Sequence, residues 1–241
     1  MMRFFTLLSV FVMLLLPVTG ALAEDKKWSD EAELSYVDTS GNTEVTTLSA
    51  KNKMQVTLTE RILATWKLQA LYGETDGEKT AESYMTELRG DYALTERLFT
   101  FGTAGWLQDK FAGIDSRYTF GLGVGYKFLD GPKHFLRGEA GLTYTMDEYT
   151  DGSSEEYLGG RLFGEYQYQF TEKNRFSQTL EYLPDFENSD NWLLNSETAL
   201  IAALNSFLSM KTSYVVKYDN EPAPGSEKTD RILGVALVVN F

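Results

Sequence analysis

Past its first two dozen residues the chain keeps one rhythm. Strand-like segments with alternating apolar and polar positions are separated in turn by short tight turns and by longer loops rich in Gly, Asp and Glu. Short turns fall at Thr59-Glu60-Arg61, Thr95-Glu96-Arg97, Asp130-Gly131-Pro132, Thr171-Glu172-Lys173 and Asn205-Ser206. Longer loops fall near Ser40-Gly41-Asn42, Asp76-Gly77, Ala112-Gly113, Asp151-Gly152, Glu187-Asn188 and Pro222-Ala223-Pro224-Gly225. The short turns recur every ~35 to 40 residues, the length of one long hairpin with its loop. Five turns and six loops predict about twelve strands, and an even count puts both chain ends on the short-turn side, as in bacterial outer-membrane barrels.

Alternation within the strands is stricter than the turn spacing. In the second strand Leu48, Ala50, Met54, Val56 and Leu58 share one face, and Lys51, Lys53, Gln55 and Thr57 share the other. In the sixth, Tyr118, Phe120, Leu122, Val124, Tyr126 and Phe128 oppose Arg117, Thr119, Gly121, Gly123, Gly125 and Lys127. Charges keep to one face throughout. A soluble β-sandwich would also alternate, with its apolar face as the core and its edge strands protected. Three features favour a transmembrane barrel: aromatics on the apolar face near strand ends, Lys, Arg and Glu in mid-strand on the polar face, and a chain that ends inside a strand. A one-residue slip of the second strand would put Lys51 and Lys53 into lipid, at about 2–4 kcal/mol each near the midplane. The prediction is an all-β, antiparallel transmembrane β-barrel of about twelve strands, with short periplasmic turns and longer acidic extracellular loops.

Both ends of the chain fit that reading. Met1-Met2-Arg3, an apolar core from Phe4 to Val18 and the ending Ala21-Leu22-Ala23 read as a signal peptide cleaved after Ala23. The barrel then spans residues 24–241. The leader's apolar core is shorter than the ~20 residues a spanning helix needs. At the other end Leu233, Val235, Leu237, Val239 and the terminal Phe241 share a face, the form of the signal read by the outer-membrane assembly machinery.

Composition narrows the chemistry. The 241 residues hold no cysteine, one histidine, and 22 Lys+Arg against 35 Asp+Glu, for a net charge of −13. Disulfide frameworks, thiolate metal sites and cysteine nucleophiles are excluded. A partner bound mainly through phosphate neutralisation, nucleic acid above all, has no basic surface to meet.

Several stretches carry a family resemblance: Ser40-Gly41-Asn42-Thr43, Trp106 through Gly113 leading to Arg117, Phe128-Leu129-Asp130-Gly131-Pro132, Asp147 through Asp151, Leu194 through Leu200, and Asn220-Glu221-Pro222 with Thr229-Asp230-Arg231. With them the chain resembles the salt-induced outer-membrane protein family of Gram-negative bacteria, a domain of unknown function. The resemblance spans nearly all of residues 24–241. It implies an outer-membrane β-barrel and a link to salt or envelope stress, and supplies no catalytic motif.

Candidate chemistry therefore rests on the residues themselves. An outer-membrane lipase needs a serine activated by an imidazole at the outer lipid interface. The one imidazole, His134, sits beside a short turn on the opposite side, so a lipid-modifying enzyme is the remotest alternative and no catalytic residue is assigned. Acids between Asp147 and Glu156 lack the spacing of a calcium loop, and no motif calls for a cofactor or metal. The lumen candidates are Lys51, Lys53, Glu87, Arg89, Arg137, Glu139, Arg161, Glu165, Glu181, Glu197 and Lys211, joined by Lys67, Asp91 and Lys217. Such charges either neutralise one another across a narrow lumen or line a water-filled path. The acidic-loop candidates are Asp76, Asp109, Asp115, Asp151, Glu155, Asp190, Asp219 and Glu221, with Asp147 counted among the loop acids. An acidic mouth concentrates cations and meets lipopolysaccharide phosphates through shared divalent ions. The expected function is a small channel for cations or small polar solutes, the alternative a non-conducting stress-response barrel whose loops interact. Outer-membrane lipid, lipopolysaccharide and the barrel assembly machinery are the expected partners. Nothing in the pattern selects an oligomeric state.

Overall fold

The computed structural model describes residues 27–39, 45–222 and 227–241. The expected signal peptide, and the Ser40-Gly41-Asn42-Thr43 stretch, lie outside them. Every described element is a strand: β1 (Trp28–Thr39), β2 (Val45–Thr59), β3 (Ile62–Thr75), β4 (Glu78–Ala93), β5 (Leu98–Asp109), β6 (Ile114–Asp130), β7 (His134–Tyr149), β8 (Ser154–Thr171), β9 (Asn174–Pro184), β10 (Trp192–Ala203), β11 (Leu208–Asp219) and β12 (Thr229–Asn240). Each pairs antiparallel with its sequence neighbours, and β12 returns to β1 to close the barrel. Closure leaves no sheet edge, which is what permits strands to stand in hydrocarbon.

The closing seam is the shortest of the pairings. β1 and β12 pair from Glu31↔Asn240 to Leu34↔Leu237, and Phe241 extends the ladder by donating its N–H to the Asp30 carbonyl at 2.9 Å. The last residue of the chain is thus pinned to the first strand by main-chain bonds. Followed once round the wall, the registers return to β1 about 16 residues along. For twelve strands that stagger gives a tilt of about 45° and a backbone cylinder of about 12 Å radius.

The two faces of the wall separate as the alternation requires. Leu88, Leu122, Leu142, Leu158, Leu200, Leu233 and Leu237 point outward and are exposed, Leu122 at 73% and Leu233 at 74%. Aromatics band both ends of this apolar face. Tyr126 packs on Phe128 and Tyr168 on Phe170 at the short-turn end, with ring centroids 5.2 and 4.9 Å apart. At the other end Trp192 lies between Tyr182 and Tyr218, at 5.7 and 5.0 Å. These are the interfacial girdles of a membrane barrel.

One detail differs from expectation. The hairpin at Asp76-Gly77 is no longer loop but a two-residue turn, with φ of 51° and 83°. Positive φ at both positions marks a type I′ turn, whose twist matches that of the flanking strands. More generally, the spacing between short turns is taken up by long strands. Asp109, Asp115, Glu155 and Asp219 therefore stand on strand ends, while Asp76, Asp151, Asp190 and Glu221 occupy turns and loops. Pairing continues past the apolar band because main-chain bonds do not depend on what the side chains face.

Candidate functional site in the lumen

All eleven lumen candidates project from the inward face, where the barrel brings nine of them into two networks and leaves Glu87 and Lys53 outside both. The first joins β4, β7, β8 and β9 around Glu139. Arg89 donates Nη1 and Nη2 to its two carboxylate oxygens, both at 2.9 Å, and Arg161 donates Nη1 at 2.6 Å. Arg137 stands 3.3 Å away. The outer teeth of these arginines are taken by Asp91 at 2.6 Å from Arg89, Glu181 at 2.6 Å from Arg161 and Glu165 at 2.7 Å from Arg137. Arginine suits this task, because its planar fork serves two carboxylates at once.

An aromatic floor supports the guanidiniums. On β6 the inward positions are Gly121, Gly123 and Gly125, and the rings of Phe101 and Phe99 lie where Cβ atoms of Gly123 and Gly125 would be, at 2.5 and 2.2 Å. The guanidinium carbon of Arg89 sits 4.4 Å from the Phe101 centroid, and Arg161 and Arg137 lie 4.7 and 5.4 Å from that of Phe163. The Phe101 ring, seated against Gly123 of β6, and the Phe163 ring on β8 thus add cation–π attraction to the hold of the carboxylates.

The second network lies by the seam, joining β1, β2, β10 and β11. Lys211 reaches Glu33 at 2.8 Å and Glu197 at 2.7 Å. Lys51 lies 3.7 Å from Glu33 and 3.5 Å from Glu197, so β2 is tied to β10 past three intervening strands. Between the networks Lys67 pairs with Glu87 at 2.8 Å, and Lys53 shares their face. Among the described residues no buried side-chain nitrogen or oxygen lacks a partner. Low-dielectric ion networks are tolerated on that condition.

Sequence reasoning missed several members. Glu33 is a hub of the second network and Arg175 pairs with Glu31 at 3.5 Å. The alternation of Glu31 and Glu33 against Leu34 and Tyr36 was a signal for the two β1 acids. Asp147, counted as a loop acid, is instead 1% exposed and takes Arg117 at 2.6 and 2.5 Å. Its place opposite Arg117 in the β6–β7 register makes it a buried counter-ion.

The remaining candidates take ordinary places. His134 shares a hydrogen bond with the Tyr166 hydroxyl at 2.9 Å and lies 4.9 Å from the Tyr168 ring, within the aromatic band at the short-turn end. At the opposite end Asn188 donates to Glu221 at 2.6 Å and Asn220 to the Asp190 carbonyl at 2.8 Å, joining two loops. The Ser153 hydroxyl and amide donate to Asp151 and hold its carboxyl below the usual range. An apolar hollow in the outward wall, where Ala64, Gly90 and Gly102 fall side by side, faces the lipid.

A closed twelve-strand barrel with an apolar belt, aromatic girdles and a charged interior defines an outer-membrane-type β-barrel. Solved structures share the fold at low identity. A NanC porin matches at a TM-score of 0.54 with 8% identity, over 88% of this chain and 97% of that one. The outer membrane channel COG4313 from Pseudomonas putida F1 matches at 0.53 with 12% identity, over 92% and 100%. The translocator domain of the autotransporter NalP from Neisseria meningitidis matches at 0.53 with 13% identity, over 100% and 94%. Within this class the chain belongs to the DUF481 family of proteins of unknown function, whose model matches residues 32–241. A relative in that range is the uncharacterized protein YdiY of Escherichia coli K12, 31% identical over 213 residues, 88% of this chain and 82% of its own length.

Proposed function

We propose that this protein is a small channel of the Gram-negative outer membrane, passing small polar solutes and favouring cations at its mouth. The observation that carries the reading is a wall about 12 Å in radius whose inward face carries ion pairs on opposite sides of the barrel and between them. Eight-stranded barrels of this kind are filled by side chains, and sixteen-stranded ones are open. Twelve strands leave room for water between networks that occupy opposite sides. The acids at Asp76, Asp151, Asp190 and Glu221 supply a negative field where solute enters.

The surrounding assignments follow from that placement. Residues 1–23 direct export and are removed after Ala23. The short turns face the periplasm, Phe241 serves the barrel assembly machinery, and the acidic loops meet lipopolysaccharide. A link to salt or envelope stress belongs to the same proposal. A second reading is a non-conducting barrel that stiffens the envelope. It is favoured by the ion pairs that reach across the interior, Lys51 to Glu197 and Arg89 to Glu139.

Conductance separates the two. The refolded residues 24–241, placed in a planar bilayer across a potassium chloride gradient, are expected to give discrete steps with a cation-selective reversal potential. Silence from a barrel shown by heat-modifiable gel migration to be folded would leave the structural reading in possession.

A further inference from the structure

Among the described residues one mid-wall lysine lies outside both networks and, unlike Lys67, without an ion-pair partner. Lys53 stands on the inward face of β2, its Cα partnered by Glu31 on β1 and Lys67 on β3. Both neighbours are engaged elsewhere, Glu31 with Arg175 at 3.5 Å and Lys67 with Glu87 at 2.8 Å. Two residues along the same face Lys51 is held by two carboxylates. Among the described residues Lys53 has no carboxylate oxygen within 4.0 Å, and its side chain is exposed where those of Lys51 and Lys211 are partly covered. The charges whose fields reach it belong to both walls: Glu165 and Arg137 from the Glu139 network, Glu31 and Lys67 beside it. The ammonium thus stands in the space between the networks.

Fixed ion pairs cancel one another at a distance, so they offer a passing ion little net field. An ammonium on a flexible four-carbon stem, with three donors and no fixed acceptor, is different in kind. Taking up a solute breaks no ion pair of the fold, because among the described residues no carboxylate holds it.

We propose that Lys53 is a solute-binding residue of the lumen, pairing with the carboxylate or similar anionic group of a small solute as it passes between the two networks. The proposal rests on the channel reading. It places the selective contact inside the barrel and gives it a sign opposite to that of the mouth: the loop acids govern entry, and Lys53 retains what carries an anionic group.

The absence of cysteine makes the test clean. Wild type, Lys53→Met, Lys53→Glu and Lys53→Cys are refolded, checked by heat-modifiable migration, and recorded in planar bilayers with succinate as the probe anion. Lys53→Met is expected to weaken succinate block of the potassium current by about tenfold and to lower the chloride-to-potassium permeability ratio, with Lys53→Glu lowering it further. Labelling Lys53→Cys with an ammonium-bearing methanethiosulfonate should restore wild-type behaviour, and a sulfonate-bearing one should mimic Lys53→Glu. Conductance with selectivity and block unchanged in every variant overturns the role of Lys53 and leaves the channel standing. A folded wild-type barrel that is silent overturns the channel reading, and this inference with it.

Discussion

Glu139 on β7 receives both terminal nitrogens of Arg89 on β4 at 2.9 Å, a two-point contact between strands separated by β5 and β6. The same carboxylate serves Arg161 and Arg137, so its removal leaves three guanidiniums short of an acceptor. Breaking one partner of a buried pair costs about 3–5 kcal/mol. Glu139→Ala is expected to lie in that range. Asp91→Ala should cost less, because Arg89 keeps Glu139. Guanidinium chloride unfolding in detergent, followed by tryptophan fluorescence, checks the order of the two. Equal losses would mean that Glu139 is not the hub.

The glycine floor gives a second expectation, with a built-in control. The three atoms nearest a Cβ at Gly125 all belong to the Phe99 ring, the first at 2.2 Å, whereas one at Gly123 meets both the Phe101 ring and the Ala140 main-chain oxygen at 2.5 Å. Overpacking of this kind costs about 1–3 kcal/mol. Gly125→Ala should therefore be largely rescued by Phe99→Leu, and Gly123→Ala only partly by Phe101→Leu. A double-mutant cycle on unfolding midpoints reads the coupling, expected to be the larger for the Gly125 pair.

What the sequence made legible was whatever repeats with period two. Strand number, the inward set and the closing aromatic follow from alternation, because a bilayer punishes any slip by a whole face. Partnering inside the barrel does not repeat. That Lys51 reaches Glu197 depends on the stagger of four successive pairings across the closing seam, and no local pattern encodes it. Asp147 was misplaced for a related reason: an acid near a turn looks the same whether its strand continues or ends. Phe101 and Phe163 were hidden because aromatics on the inward face break the rule that identified the wall. Only the empty side of Gly121, Gly123 and Gly125 hinted that rings were to lie there.

The outward face should show a depth profile. Leu122 lies midway along β6 and Phe128 near its short-turn end, both exposed. Leu122→Arg is expected to cost about 2–4 kcal/mol in lipid vesicles, and Phe128→Arg about 0–1 kcal/mol as a charge added at the interface, apart from the ring it loses. Reversible unfolding from vesicles of defined thickness measures both. The two substitutions costing the same would argue against a bilayer midplane at Leu122.

The mouth acids should act through their field and so answer to salt and pH. Neutralising Asp151, Asp190 and Glu221 together as Asn, Asn and Gln is expected to reduce cation selectivity at about 0.1 M salt, where the Debye length is about 10 Å. It should have little effect at about 1 M, where that length falls to about 3 Å. In the wild type the Asp151 carboxylate is expected to keep its charge further into acid than an ordinary aspartate, since the Ser153 donors favour its charged form. The cation selectivity that survives in acid should therefore be reduced by Asp151→Asn. Selectivity independent of both salt and pH would place its origin away from the loops, among the fixed pairs of the wall.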